Sequence, residues 1–176
     1  MTSKILIAGF GGQGILFSGK ALAFTGLKVG KEVSWLPSYG PEMRGGTANC
    51  SVTISDEPIG SPIVDKPDIL VAMNLPSLEK YLNETENNGY IVYDSSLINK
   101  EVARDGVSIF AIPATKMAND NGLTGLANMI IIGKVIKETN VLTLEQIKNS
   151  LSQMVPAKKA NLLESNIKAI ELGYNY

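Results

Sequence analysis

Residues 4–15 read "KILIAGFGGQGI", and the fold turns on how this stretch is read. The apolar run through Phe10 has the length and continuity of a buried strand in a parallel sheet, and it ends in glycines. From Gln13 to about Val29 the period changes, and Ile15, Leu16, Leu22, Ala23 and Leu27 supply the apolar face of a helix. A strand, a glycine turn and a helix in that order open an α/β domain.

The same alternation continues outward. "EVSWL" and "TANCSVTIS" read as second and third strands, with Trp35 expected in the core. "PDILVAM" is a further buried strand, "PSLEKYL" a short helix with Pro76 in its first turn, and "GYIVYD" and "VSIFAIP" two more strands. The last third is helical. "TGLANMIIIGKVIKE" is apolar on most sides at its start and so is expected to be buried there. Thr143 and Gln146 have capping-box spacing, and Pro156 separates that helix from a final one carrying Leu163, Ile167 and Ile170. No repeat, low-complexity tract or Gly/Ser linker interrupts the chain, so residues 1–176 are expected to form one α/β domain: a largely parallel sheet flanked by helices, with a helical C-terminal third.

Composition narrows the function. The 16 basic and 17 acidic side chains leave a net charge of -1, and the basic residues are spread along the chain, which argues against a nucleic-acid surface. No histidine is present, removing the usual general base near neutral pH and the usual zinc ligand. Cys50 is the single cysteine, whereas an iron–sulfur cluster takes four thiolates. The apolar N-terminus imitates a signal peptide, with "ALA" at residues 21–23 as a mock cleavage site. It is broken by Gly11, Gly12, Gln13 and Gly14, and Lys20 precedes the mock site. No window reaches the roughly 20 apolar residues of a membrane span. A cytoplasmic protein without membrane contact is expected.

Gly9, Gly11 and Gly14 satisfy GxGxxG between a strand and a helix, the context of a dinucleotide-binding fingerprint. Glycines permit a tight turn and close approach of a phosphate, and the free N–H groups at the helix start attract an anion. An NAD site also expects Asp or Glu at the end of the second strand, where this chain has Leu36, Pro37 and Ser38. A phosphate contact and a purely structural turn therefore stay open beside a free-standing nucleotide-binding oxidoreductase. Gly14, Gly19 and Lys20 mimic a P-loop, but Ala21 stands where Ser or Thr would hold magnesium.

The second unusual stretch is "SYGPEMRGGTANC", residues 38–50, between the second and third strands. Together, "GFGGQGI" and "SYGPEMRGGTANC" resemble the gamma subunit of the 2-oxoacid:ferredoxin oxidoreductases, a Rossmann-like domain. The resemblance continues through "DEPIGSPIVDKPDILVAMN", "YIVYDSS", "IPATKMA" and "NMIIIGKV", roughly residues 4–136. The wording of the second loop favours the branch acting on 2-oxoglutarate or branched-chain 2-oxoacids over the one acting on indolepyruvate.

The resemblance implies a multi-subunit enzyme that oxidatively decarboxylates a 2-oxoacid, forms an acyl-coenzyme A and passes electrons to ferredoxin. It implies thiamine diphosphate and Mg2+ between alpha and beta subunits, iron–sulfur clusters in beta or a delta subunit, and no catalytic residue of the decarboxylation in this chain. Coenzyme A is a possible ligand, and the residues it would meet are Gly11, Gly12, Gln13, Gly14, Ser38, Tyr39, Arg44, Gly45 and Gly46. Arg44 beside two glycines offers a planar fork suited to phosphate or carboxylate. Tyr39 can stack on a base or anchor a partner chain. An ordered turn, a subunit contact and a coenzyme A contact are all compatible with that loop. Met73 and Asn74 can line the same crevice, although Asn74 also suits a helix entry. Asp94, Ser95 and Ser96 read as a cap or turn, and Asn128 as a satisfied buried amide.

Overall fold

The strand and helix expected from residues 4–15 are both present. In the computed structural model, which describes residues 1–38 and 47–176, β1 spans Thr2–Phe10 and α1 Ile15–Lys28. Then follow β2 (Glu32–Ser38), β3 (Thr47–Ser55), β4 (Ile69–Ala72), α2 (Leu75–Tyr81), β5 (Tyr90–Asp94) and β6 (Ser108–Ile112). The helical third comprises α3 (Ala114–Asp120), α4 (Ala127–Thr139), α5 (Leu144–Met154) and α6 (Ala160–Asn175). Of these only α3 escapes the sequence reading, being too short to show a period.

The strands form one sheet in the order β2-β3-β1-β4-β5-β6. β1, β4, β5 and β6 run parallel, while β3 is antiparallel to both its neighbours. The reason is covalent: a parallel pair needs a crossover of a dozen or more residues, and only residues 39–46 lie between β2 and β3. β2 consequently points the same way as β1, and Ser38 pairs with Asn49, which pairs with Ala8.

Side chains of β1 alternate between two cores. Ile5 and Ile7 join Cys50, Val52, Val71 and the helices α1, α4 and α6 on one face. Leu6 joins Leu70, Ile91 and Leu78 of α2 on the other. Helices thus cover both faces, and β4 is buried along its whole length. The expected burial at the start of α4 is complete, with Met129, Ile130, Ile131 and Ile132 all at 0% exposure. The capping box at α5 is also formed: Thr143 Oγ1 accepts from the Gln146 N–H, and Gln146 Oε1 accepts from the Thr143 N–H.

Trp35 departs from expectation. It lies on β2, the edge strand, and remains 38% exposed. Its indole Nε1 abuts Gly19 of α1, but no further strand or helix covers the ring's outer side among the described residues.

Candidate functional site

The direction in which strands are added to the sheet reverses between the parallel pair β1 and β4, since β2 and β3 lie on one side of β1 while β4, β5 and β6 extend on the other. At such a switch point the loops leaving the carboxyl ends of adjacent strands diverge and open a crevice. A cavity of about 240 Å³ lies there. Gly12 and Gln13 come from the loop after β1, Met73 follows β4, and Leu97 follows β5. Thr115, Ala118 and Asn119 of α3 and the segment Thr124, Gly125 and Ala127 close the far side.

The glycine loop is held by its own glutamine. Gln13 Oε1 accepts from the Phe10 N–H at 2.6 Å, and Gln13 Nε2 donates to the Met73 carbonyl at 3.0 Å, tying the end of β1 to the end of β4. Gly14 takes φ 74° as N-cap of α1, and a Cβ there would lie 2.5 Å from Asn128 Nδ2. Only glycine meets both demands. Part of the fingerprint is therefore accounted for by packing.

α3 is anchored from the strand beside it. Asp94 is fully buried; its Oδ1 accepts from the Ser96 N–H, and its Oδ2 from the N–H and hydroxyl of Thr115. Ser96 Oγ accepts from the Lys116 N–H. The Thr115 and Lys116 N–H groups in the first turn of α3 are thereby paired. Asn74 likewise caps α2 through Oδ1 to the Ser77 N–H at 2.8 Å. The expected cap roles of Asp94, Ser96 and Asn74 hold.

By contrast, α1 and α4 begin with no side-chain cap and no acid in the first turn. Gly12 and Gln13, just before α1, and Gly125 and Ala127, around the start of α4, border the crevice. Two positive helix ends beside apolar walls favour a small anionic group. Among the described residues the lining side chains carry no acid, base or thiol. Among the described residues no three of Cys, Asp and Glu converge as metal ligands.

Gly12 and Gln13 thus line the crevice, and Gly14 stands beside it; Ser38 does not line it. Ser38 lies at the same sheet edge, but β3 separates β2 from β1, placing it about 10 Å away at ordinary strand spacing. Tyr39, Arg44, Gly45 and Gly46 lie outside the described residues. Leu97, Thr115, Asn119, Thr124 and Gly125 were invisible as site residues in the sequence. The one available signal was the glycine of "TGLAN" before an apolar helix, a second glycine-led helix entry, with φ 88° at Gly125. Asn128 meets its expectation by half. Its Nδ2 donates to the Gly14 carbonyl and Ser18 Oγ, while its Oδ1 has no partner among the described residues.

Comparison with known proteins agrees with this architecture. The chain is 36% identical over 170 residues to the ketoisovalerate oxidoreductase subunit VorA of Methanothermobacter thermautotrophicus, covering 97% of this chain but 35% of that protein. It spans about a third of the length of the VorA relatives it matches. It is 34% identical to the 2-oxoglutarate synthase subunit KorC of Methanocaldococcus jannaschii, covering 99% of this chain and 93% of that one. Among solved structures, the keto/oxoacid ferredoxin oxidoreductase gamma subunit of Geobacter sulfurreducens superposes with a TM-score of 0.86 at 26% identity, covering 99% and 95% of the two chains. The 2-oxoglutarate:ferredoxin oxidoreductase of Magnetococcus marinus, solved with 2-oxoglutarate, coenzyme A and succinyl-CoA bound, gives 0.88 at 26% identity; the match covers 99% of this chain and 30% of that one. The family model for pyruvate ferredoxin/flavodoxin oxidoreductase matches residues 4–176. With β1, the glycine loop and the switch-point crevice all inside that span, the chain belongs to the pyruvate ferredoxin/flavodoxin oxidoreductase family and has the fold of its gamma subunit.

Proposed function

We propose that the chain is the gamma subunit of a thiamine-dependent 2-oxoacid:ferredoxin oxidoreductase acting on 2-oxoglutarate in the cytoplasm, and that its crevice receives one end of coenzyme A. The observation that carries this is a switch-point crevice bordered by the segments that open α1 and α4, neither of which has a side-chain cap, and lined by no titratable group among the described residues. The near full-length match to KorC, against a third of VorA, favours 2-oxoglutarate over ketoisovalerate.

The chain does not fit the cofactors of the oxidation. Magnesium with a diphosphate calls for carboxylate or other hard oxygen ligands, and no carboxylate lines the crevice among the described residues. Cys50 is buried, and desolvation pushes its thiol up to about 12, so it is not a thiolate ligand. Thiamine diphosphate, Mg2+ and iron–sulfur clusters are accordingly assigned to alpha, beta or delta subunits, which also deliver electrons to ferredoxin. The part left to this chain is to hold the coenzyme. A cavity of about 240 Å³ takes a phosphate or the tip of a longer ligand, not a whole nucleotide.

Reconstitution tests the reading. The isolated chain should show no turnover with 2-oxoglutarate, coenzyme A, thiamine diphosphate, magnesium and an electron acceptor, and adding it to the alpha and beta chains should restore activity. Equal activity from alpha and beta with and without it overturns the proposal. In the assembled enzyme, Arg44→Ala should raise the KM for coenzyme A; loss of assembly instead would assign that loop to the interface.

A further inference from the structure

Two asparagines in the chain precede glycine, Asn88 before Gly89 and Asn121 before Gly122, and the fold treats them differently. Glycine has no side chain to shield its backbone nitrogen, so an asparagine before it is open to a self-reaction. The glycine nitrogen, its proton lost to base, attacks the asparagine Cγ; the Cγ–Nδ2 bond breaks, ammonia leaves, and a cyclic succinimide remains. Water then opens the ring at either carbonyl, giving aspartate or isoaspartate. The attack needs the peptide between the two residues to rotate, so packing decides the rate. That peptide is clamped at Asn88. The Asn88 N–H donates to the Gly106 carbonyl at 2.6 Å, the Gly89 N–H to the Glu86 carbonyl at 3.1 Å, and the Gly89 carbonyl accepts from the Ser108 N–H at 2.9 Å. Gly89 is buried, and an added Cβ would lie 2.7 Å from the Asp68 carbonyl oxygen. Asn121 and Gly122, by contrast, are both exposed in the turn between α3 and α4. The Gly122 N–H reaches the Asn119 carbonyl only at 3.3 Å, and an added Cβ would meet nothing within 4 Å.

We propose that Asn121 is a self-modifying site, which deamidates in the folded chain while Asn88 is protected, and that the change loosens the α3 wall of the crevice. In the intact chain Asn121 Nδ2 donates to the Met117 carbonyl at 2.9 Å, and the Asn121 N–H reaches the same oxygen at 3.2 Å, closing the last turn of α3. A carboxylate in that place has no proton to donate, and it sets a negative charge beside the unpaired carbonyls of a helix C-terminus. Isoaspartate also lengthens the backbone by a methylene. α3 supplies Thr115, Ala118 and Asn119 to the crevice, so the loss is felt there. This chemistry belongs to the chain alone and does not depend on the subunit assignment.

Ageing of the full chain at mildly alkaline pH and physiological temperature tests this. Trypsin separates the two sites, cutting after Lys80 and Lys100 around Asn88 and after Lys116 and Lys134 around Asn121. Mass spectrometry of those peptides, with an isoaspartyl methyltransferase to mark isoaspartate, follows conversion at each. Acid should accumulate at Asn121 at least about tenfold faster than at Asn88, because a packed, hydrogen-bonded loop opens less often. In urea, where both asparagines precede an unconstrained glycine, the two rates should converge. Equal rates in the folded chain, acid at Asn88 alone, or a preference that persists undiminished in urea overturns the modification site. Asn121→Asp tests the consequence in fresh protein. It should speed hydrogen exchange of the α3 amides by roughly three- to tenfold, the value of one hydrogen bond. Exchange equal to that of the unaltered chain overturns the loosening of the crevice wall.

Discussion

Asp94 shows how one residue fixes the crevice. Its carboxylate accepts from two backbone N–H groups and the Thr115 hydroxyl, joining the end of β5 to the start of α3. Asp94→Ala removes the acceptor of two part-buried N–H groups, so urea unfolding should show a loss of about 1–3 kcal/mol, while Thr115→Val, which removes one hydroxyl, should lose about 1 kcal/mol. Asp56 sits at the opposite edge of the sheet, on the surface. Hydrogen bonds from Lys31 and the N-terminal ammonium lower its carboxyl from 3.8 to about 2. Because the folded value is depressed, the stabilisation is present above about 3.8 and is lost as pH falls toward 2. Melting temperature should therefore fall more steeply below pH 4 for the unaltered chain than for Asp56→Asn, and parallel curves would refute the pairing.

At the scale of elements, the helical third depends on one close crossing. α4 and α6 approach at Gly133 and Gly173, where an added Cβ would lie 2.0 Å from the Ile170 carbonyl oxygen and 1.7 Å from that of Ile130. Backbone cannot move aside as a flexible side chain can. Gly173→Ala should therefore force the helices apart and cost about 2 kcal/mol or more, in the range of core overpacking. Gly60→Ala, with nothing within 4 Å, should stay within about 0.5 kcal/mol of the unaltered chain in the same urea titration.

At the scale of the whole molecule, the crevice sits around the starts of α1 and α4 and carries no acid or base among its described lining side chains. A fold that presents binding surfaces without proton-transfer groups suits a component of a larger enzyme. The relatives agree in form: the same unit is about a third of VorA and nearly all of KorC. The reconstitution expectation above belongs to this scale, because the proposed function assigns turnover to the assembly.

By itself the sequence determined the strand–glycine–helix opening, the class of sheet, the buried start of α4 and the capping box of α5. Each is written in local periodicity or in residues three or four apart, and local patterns survive without knowledge of the rest of the chain. The paired loops also carried the family. Tertiary structure alone decided the rest. That Trp35 lies on an edge follows from strand order, which no local pattern encodes. The crevice collects Gln13, Met73, Leu97, Thr115 and Gly125 from five separate segments. Sites built from residues distant in sequence have no period to read, so they appear once the chain is folded.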